Sequence, residues 1–115
     1  MIEGIGIDIV EVERFKGAVE RRGERFLKRL FTDREILYSR GKRRPEVHLA
    51  ARFAAKVSVK KAFGSPLNFR EIEISNDGSG RPVAEAKALG KDLRISISIT
   101  HDNGLAVAEA LIERL

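Results

Sequence analysis

The sequence predicts an α+β fold in a single domain spanning residues 1–115, and three observations carry that reading. The chain has 115 residues, enough for one hydrophobic core and too few for two. Apolar residues in its first half recur at helical spacing after one opening strand. Beyond Pro66 the period changes to two and stays there. One strand, three helices and then four strands place the helices against a mainly antiparallel sheet, not in the alternation of a parallel α/β fold.

Residues 2–10 read as a buried strand, with Ile5, Ile7 and Ile9 on one face and Gly4, Gly6, Asp8 and Val10 on the other. Two glycines ahead of Asp8 let another backbone or a ligand come close. The carboxylate itself either serves that ligand or caps the following helix. From Glu11 to Arg22 the residues Val12, Phe15 and Val19 keep helical spacing, and Gly23 is a stop. Phe26, Leu27, Leu30 and Phe31 add another helical turn or two. Thr32-Asp33-Arg34-Glu35 has the pattern of a capping box, opening a helix that ends near Gly41. Pro45 suits the first turn of a long helix reaching Phe63, with Gly64 past its end. On it Arg52, Lys56 and Lys60 form one stripe beside another of Phe53, Val57 and Lys61. Cations on so alanine-rich a helix need counter-charge, from a phosphate-rich ligand or from internal carboxylates. Glu71–Ile74 and Arg81–Ala86 then read as strands around an Asn76–Gly80 turn. Ile95, Ile97 and Ile99 alternate with Ser96, Ser98 and Thr100, and Asp102-Asn103-Gly104 turns the chain into a last strand from Leu105 to Ile112.

Apolar residues at 43% and charged residues at 34% describe a folded domain rather than a disordered one. The absence of cysteine excludes disulfides and thiolate metal sites. No apolar run approaches the roughly 20 residues of a membrane span, and residues 1–5 lack the pattern of a secretion signal. A cytoplasmic protein with no membrane partner is expected. The net charge of +5 is unevenly spread. Between Arg14 and Arg44 lie twelve Lys/Arg against four acidic residues, a net of +8, and the remainder carries −3. Such a block suits an anionic partner, or a face that is merely solvated. A nucleic-acid-binding module fits the charge, but the chain has 6% aromatic residues, no recognised binding motif and no use for Asp8 in that role.

Three segments stand in order along the chain: Gly4-Ile5-Gly6-Ile7-Asp8-Ile9-Val10-Glu11, Arg52-Phe53-Ala54-Ala55-Lys56-Val57-Ser58-Val59-Lys60-Lys61-Ala62, and Ser98-Ile99-Thr100-His101. With Phe31-Thr32-Asp33-Arg34-Glu35 and Gly80-Arg81-Pro82 between them, they resemble the holo-acyl-carrier-protein synthases, small bacterial 4′-phosphopantetheinyl transferases. The resemblance covers nearly the whole chain. It implies a single domain of that fold and transfer of 4′-phosphopantetheine from coenzyme A to a serine of an acidic acyl carrier protein, for fatty acid biosynthesis. It implies Mg²⁺ as cofactor, Asp8 as metal ligand and catalytic residue, and Lys61 as the catalytic cation at the pyrophosphate. Arg52, Lys56, Lys61, Gly80, Pro82 and His101 are implied to bind coenzyme A, with Arg52 and His101 near its 3′-phosphate. Arg14 matches the carrier-protein contact, and Arg21, Arg22 and Arg25 extend that basic patch. A homotrimer with active sites at the subunit junctions is implied as well. One departure stands out, because the family's second metal ligand, a glutamate, is Val57 here. Valine neither coordinates a cation nor accepts a proton. The expected enzyme therefore has reduced activity, or the chain is a paralogue that binds coenzyme A or carrier protein without efficient transfer.

Overall fold

The computed structural model describes every residue from Met1 to Leu115. Strand β1 (Ile2–Glu11) pairs antiparallel with β5 (Leu105–Arg114), and β5 pairs antiparallel with β4 (Leu93–Asp102), giving the order β1-β5-β4. Helices α1 (Val12–Leu30), α2 (Asp33–Arg40) and α3 (Pro45–Phe63) follow β1. A second antiparallel pair, β2 (Ile72–Asn76) and β3 (Pro82–Ala86), lies with β3 beside β4. The expected order of elements and the helices on antiparallel sheet are both present.

Helix α3 is the centre of the molecule. It packs along β1 and β5, and its alanines Ala50, Ala54 and Ala55 are fully buried. The approach is closest where β1 has no side chains. A methyl group built on Gly4 would sit 1.8 Å from the Ala62 carbonyl oxygen, and one on Gly6 would sit 2.0 Å from that of Ser58. Two glycines thus bring a helix backbone onto a strand backbone, as the sequence allowed.

That packing reverses one expectation. The alternation along β1 is as read, but the glycine, Asp8 and Val10 face is the one turned to α3. Ile5, Ile7 and Ile9 are 59%, 59% and 60% exposed. The cross-strand register puts Val107, Glu109 and Leu111 of β5 and Ser96, Ser98 and Thr100 of β4 on the same outer face, with Glu109 directly opposite Ile7.

The helices follow their sequence signals. Gly23, with φ of 76°, interrupts α1 and divides it into two helical pieces. Thr32 accepts from the Glu35 amide, and the Glu35 carboxylate accepts from the Thr32 amide at 2.8 Å, so the capping box is complete. Phe15 stacks with Phe53 and meets Phe31 edge-on, tying α1 to α3 and to the start of α2.

Lys56 departs from the ligand-facing reading. Its side chain is wholly buried and pairs with the equally buried Glu35. Its amine also donates to the carbonyl oxygens of Leu30 at 2.9 Å and Phe69 at 3.0 Å. Glu35 accepts from the Ile74 amide at 2.7 Å as well. Burial pushes the lysine's pKa down, while the Glu35 carboxylate acts in the opposite direction. Counter-charge for this cation is internal, and the amine has no donor left for a phosphate. Lys56 is a tie between α1, α2, α3 and β2, not a surface that coenzyme A could touch.

Candidate active site

At the end of β1 the chain turns into α1, and the junction opens on a cavity of about 480 Å³. Asp8, Glu11, Arg14 and Val57 contribute to its wall, with Phe15, Phe26 and Phe53 supplying apolar surface. Lys61 stands at its edge. The ammonium donates to the Ile7 carbonyl oxygen at 3.0 Å and lies 3.5 Å from the Asp8 carboxylate. The Asp8 side chain is only 18% exposed, whereas that of Lys61 is 55% exposed. The carboxylate is therefore held and the ammonium is free to turn. Asp8, Val57, Lys61 and Arg14, read separately from the sequence, come together here.

The donor chemistry limits what cation this wall could hold. Nowhere do three Asp, Glu, His or Cys side chains gather. Asp8 fits Mg²⁺ as a lone carboxylate ligand, because that ion keeps several waters and completes its shell with substrate phosphate. Val57 presents methyl groups to the same space and contributes no ligand.

A second group surrounds Tyr38, at the other end of α3. The Arg52 guanidinium lies 4.0 Å from the centre of the tyrosine ring and the Lys42 ammonium 4.5 Å from it. His48 meets the same ring edge-on at 5.8 Å. Arg52 is buried and donates to the Asn76 side-chain oxygen at 2.8 Å, yet its Nε has no partner. Asn76 in turn donates to the Gly80 carbonyl oxygen at 3.0 Å. One side chain thus joins Arg52 to the turn before Pro82. Pro82, Arg81 and Asp77 face Ser96 and Ser98 across a cleft of about 430 Å³ between β3 and β4. His101, exposed at the end of β4, lies within electrostatic reach of His48.

Within one chain the implied residues therefore form two sets. Asp8, Val57 and Lys61 gather at the β1 end, and Arg52, Gly80 and Pro82 are linked through Asn76. The two sets open on different cavities. On α1, Arg14, Arg21, Arg22 and Arg25 are all exposed, and Arg22 covers the Phe26 ring at 4.3 Å. The basic patch is thus a real surface next to the Asp8 cavity, with Arg14 common to both.

Sequence reasoning missed Glu11 as a wall of that cavity and the Tyr38 hub with His48. Glu11 was read only as the start of a helix. Nothing local to His48 tells that Tyr38, ten positions earlier, comes to lie against it.

Comparison with known proteins is consistent along the whole chain. Residues 4–110 match the family described as the 4′-phosphopantetheinyl transferase superfamily. A holo-[acyl-carrier-protein] synthase of Thermodesulfovibrio yellowstonii is 46% identical, over 97% of this chain and 99% of its own. The solved structure of the holo-[acyl-carrier-protein] synthase of Neisseria meningitidis superposes with a TM-score of 0.90 at 33% identity, covering 99% of this chain and 100% of that one. That of Bacillus anthracis, described in complex with CoA (3′,5′-ADP), has a TM-score of 0.87 at 32% identity, covering 100% and 99%.

Proposed function

Since this chain belongs to the 4′-phosphopantetheinyl transferase superfamily, among the holo-acyl-carrier-protein synthases, we infer that it transfers 4′-phosphopantetheine from coenzyme A to a serine of an apo-acyl carrier protein in the cytoplasm. The observation that carries the reading at the level of this chain's residues is the meeting of Asp8 and Lys61, 3.5 Å apart, on the wall shared with Arg14. A diphosphate needs cations, an attacking hydroxyl needs a proton acceptor, and a docked acidic protein needs a basic edge. The three requirements are met within one junction of strand and helix.

The reaction forms a bond from the serine oxygen to the β-phosphorus of coenzyme A and breaks the bond from that phosphorus to the bridging oxygen. The electron pair leaves on 3′,5′-ADP. Lys61 is assigned to the diphosphate, where its ammonium offsets charge that grows on the leaving oxygen. The neighbouring Asp8 carboxylate, 3.5 Å away, draws it to this end of β1. Asp8 is the inward carboxylate of this wall and is assigned the serine proton. Asp8 would hold Mg²⁺, and the ion would supply further neutralisation of the diphosphate. Arg52, His101, Gly80 and Pro82 are assigned to the nucleotide, with the 3′-phosphate at Arg52. Lys56 is left out of the coenzyme A site, for its amine is fully engaged with Glu35.

A homotrimer with sites at subunit junctions is part of this reading, and two features support it. The outer face of the main sheet leaves Ile5, Ile7 and Ile9 exposed, which is apolar surface that a second copy would cover. The two sets of site residues also open on different cavities of one chain, so a partner's set facing Asp8 would complete the site.

The deciding experiment is mass spectrometry of an apo-acyl carrier protein incubated with this chain, coenzyme A and Mg²⁺. Gain of the phosphopantetheine mass is the expected result. Binding of coenzyme A without that gain would make the chain a relative that has lost transfer.

A further inference from the structure

The only two histidines of the chain, 48 and 101, are far apart in sequence and share one surface in the fold. Arg52 lies beside the first of them, over the Tyr38 ring that His48 also meets. The groups facing His48 are Tyr38 from α2, Lys42 from the segment after it, Glu46 and Arg52 from α3, and His101 from β4. Glu46 is engaged by Arg44 at 3.3 Å. Neither Lys42 nor Arg52 has a carboxylate within 4 Å, and the Arg52 Nε, on a side chain buried to about 95%, lacks any hydrogen-bond partner. Two cations, an unused buried donor and the His48 imidazole gather around Tyr38, with the one nearby carboxylate, Glu46, already engaged, and such a grouping suits an anion.

We propose that His48 is a further binding residue for a phosphate monoester, the 3′-phosphate of the nucleotide, and makes its capture proton-linked. The proposal rests on the coenzyme A reading above and adds to it a residue and a pH dependence. Arg52 and Lys42 supply permanent charge, and His48 supplies charge only when the phosphate is there to stabilise it. In the free protein burial holds the His48 pKa below its ordinary 6.5, and the positive Arg52 and Lys42 press it the same way. A bound dianion acts oppositely and raises it. Binding therefore takes up a proton at His48, and affinity increases as pH falls through the interval between the bound and the free pKa. The diphosphate, assigned to Lys61 at the other end of α3, contributes nothing to this linkage. Release of 3′,5′-ADP is correspondingly fastest where His48 is neutral.

The test uses 3′,5′-ADP and, as the ligand lacking the second phosphate, 5′-AMP. With only two histidines, the imidazole proton resonances of the full chain are assignable by NMR against the His48→Gln variant. Saturating 3′,5′-ADP is expected to move the His48 titration upward, and 5′-AMP to leave it in place. By calorimetry the wild-type chain should gain roughly three- to tenfold in affinity for 3′,5′-ADP between neutral and mildly acid pH, relative to His48→Gln. The comparison cancels the phosphate's own protonation, since its second pKa of about 6 affects both proteins alike. An unmoved His48 resonance, or identical pH profiles in the two proteins, overturns the proposal. An equal upward shift with 5′-AMP also overturns it, by removing the 3′-phosphate from His48. If 3′,5′-ADP binds neither protein, the coenzyme A reading itself fails and the His48 assignment falls with it.

Discussion

Valine at position 57 faces the same cavity as Asp8, so a glutamate there would add a carboxylate to those of Asp8 and Glu11 on the wall without disturbing the buried side of α3. Val57→Glu is expected to tighten divalent-ion binding by roughly tenfold, because ligand charge sets such affinities. Electron paramagnetic resonance of Mn²⁺ reads that directly, and the transfer rate should rise with it. An unchanged Mn²⁺ affinity would mean that position 57 is remote from the cation. Lys56 is tested in the opposite sense. Lys56→Met strands the buried Glu35 carboxylate, and a loss of about 3–5 kcal/mol in denaturant unfolding is expected. Any effect on coenzyme A affinity should be explained by the folded fraction alone. The two residues are neighbours in sequence, yet one faces a cavity and the other faces the core. Helical periodicity gave the stripes on α3, but it could not say which stripe was inside.

At the scale of elements, the strand and helix that carry the site are held by what β1 lacks. Gly6→Ala would force a methyl group to 2.0 Å from the Ser58 carbonyl oxygen, a backbone atom in mid-helix that has no room to retreat. A destabilisation of about 3 kcal/mol or more is expected by thermal or chemical unfolding. Folding at full stability would show that the close approach is softer than the geometry demands. Much of this level was legible beforehand. The two glycines announced a close neighbour, Thr32 and Glu35 announced a cap, and Pro45 and Gly64 marked the limits of α3. The side of β1 that is covered was not legible, because isoleucines mark an apolar face without saying whether the chain itself or another copy covers it. Nor was the Tyr38 hub, whose members come from α2, the loop after it, α3 and β4. Contacts of that kind depend on tertiary placement, which leaves no periodic trace.

For the whole molecule, the proposed assembly rests on the exposed isoleucine face and the proposed encounter on charge. Ile7→Glu sets a charge in the middle of the outer sheet face, at a position 59% exposed in the single chain. Sedimentation is expected to change from trimer to monomer, with transfer lost in parallel while each chain stays folded. A variant that remains trimeric would place the interface elsewhere. Encounter with an acidic carrier protein should depend on the α1 patch. Replacing Arg21, Arg22 and Arg25 with glutamate should slow carrier modification at low salt by about tenfold or more, and should flatten the salt dependence that the wild-type chain shows. Stopped-flow association at several ionic strengths measures both effects, and equal salt slopes would count against the patch.

The backbone-to-backbone seam between β1 and α3 also constrains how the enzyme can move. Asp8 and Lys61 spring from opposite sides of a joint with no side-chain cushion, so the backbones that carry them cannot part without prying the core open. The Gly80 turn has no such joint to α3, being linked to Arg52 through the single side chain of Asn76. For a nucleotide bound as proposed, the flexing that admits it is therefore expected at the Gly80 turn, since Ile72 and Ile74 fix the rest of the β2–β3 hairpin in the core.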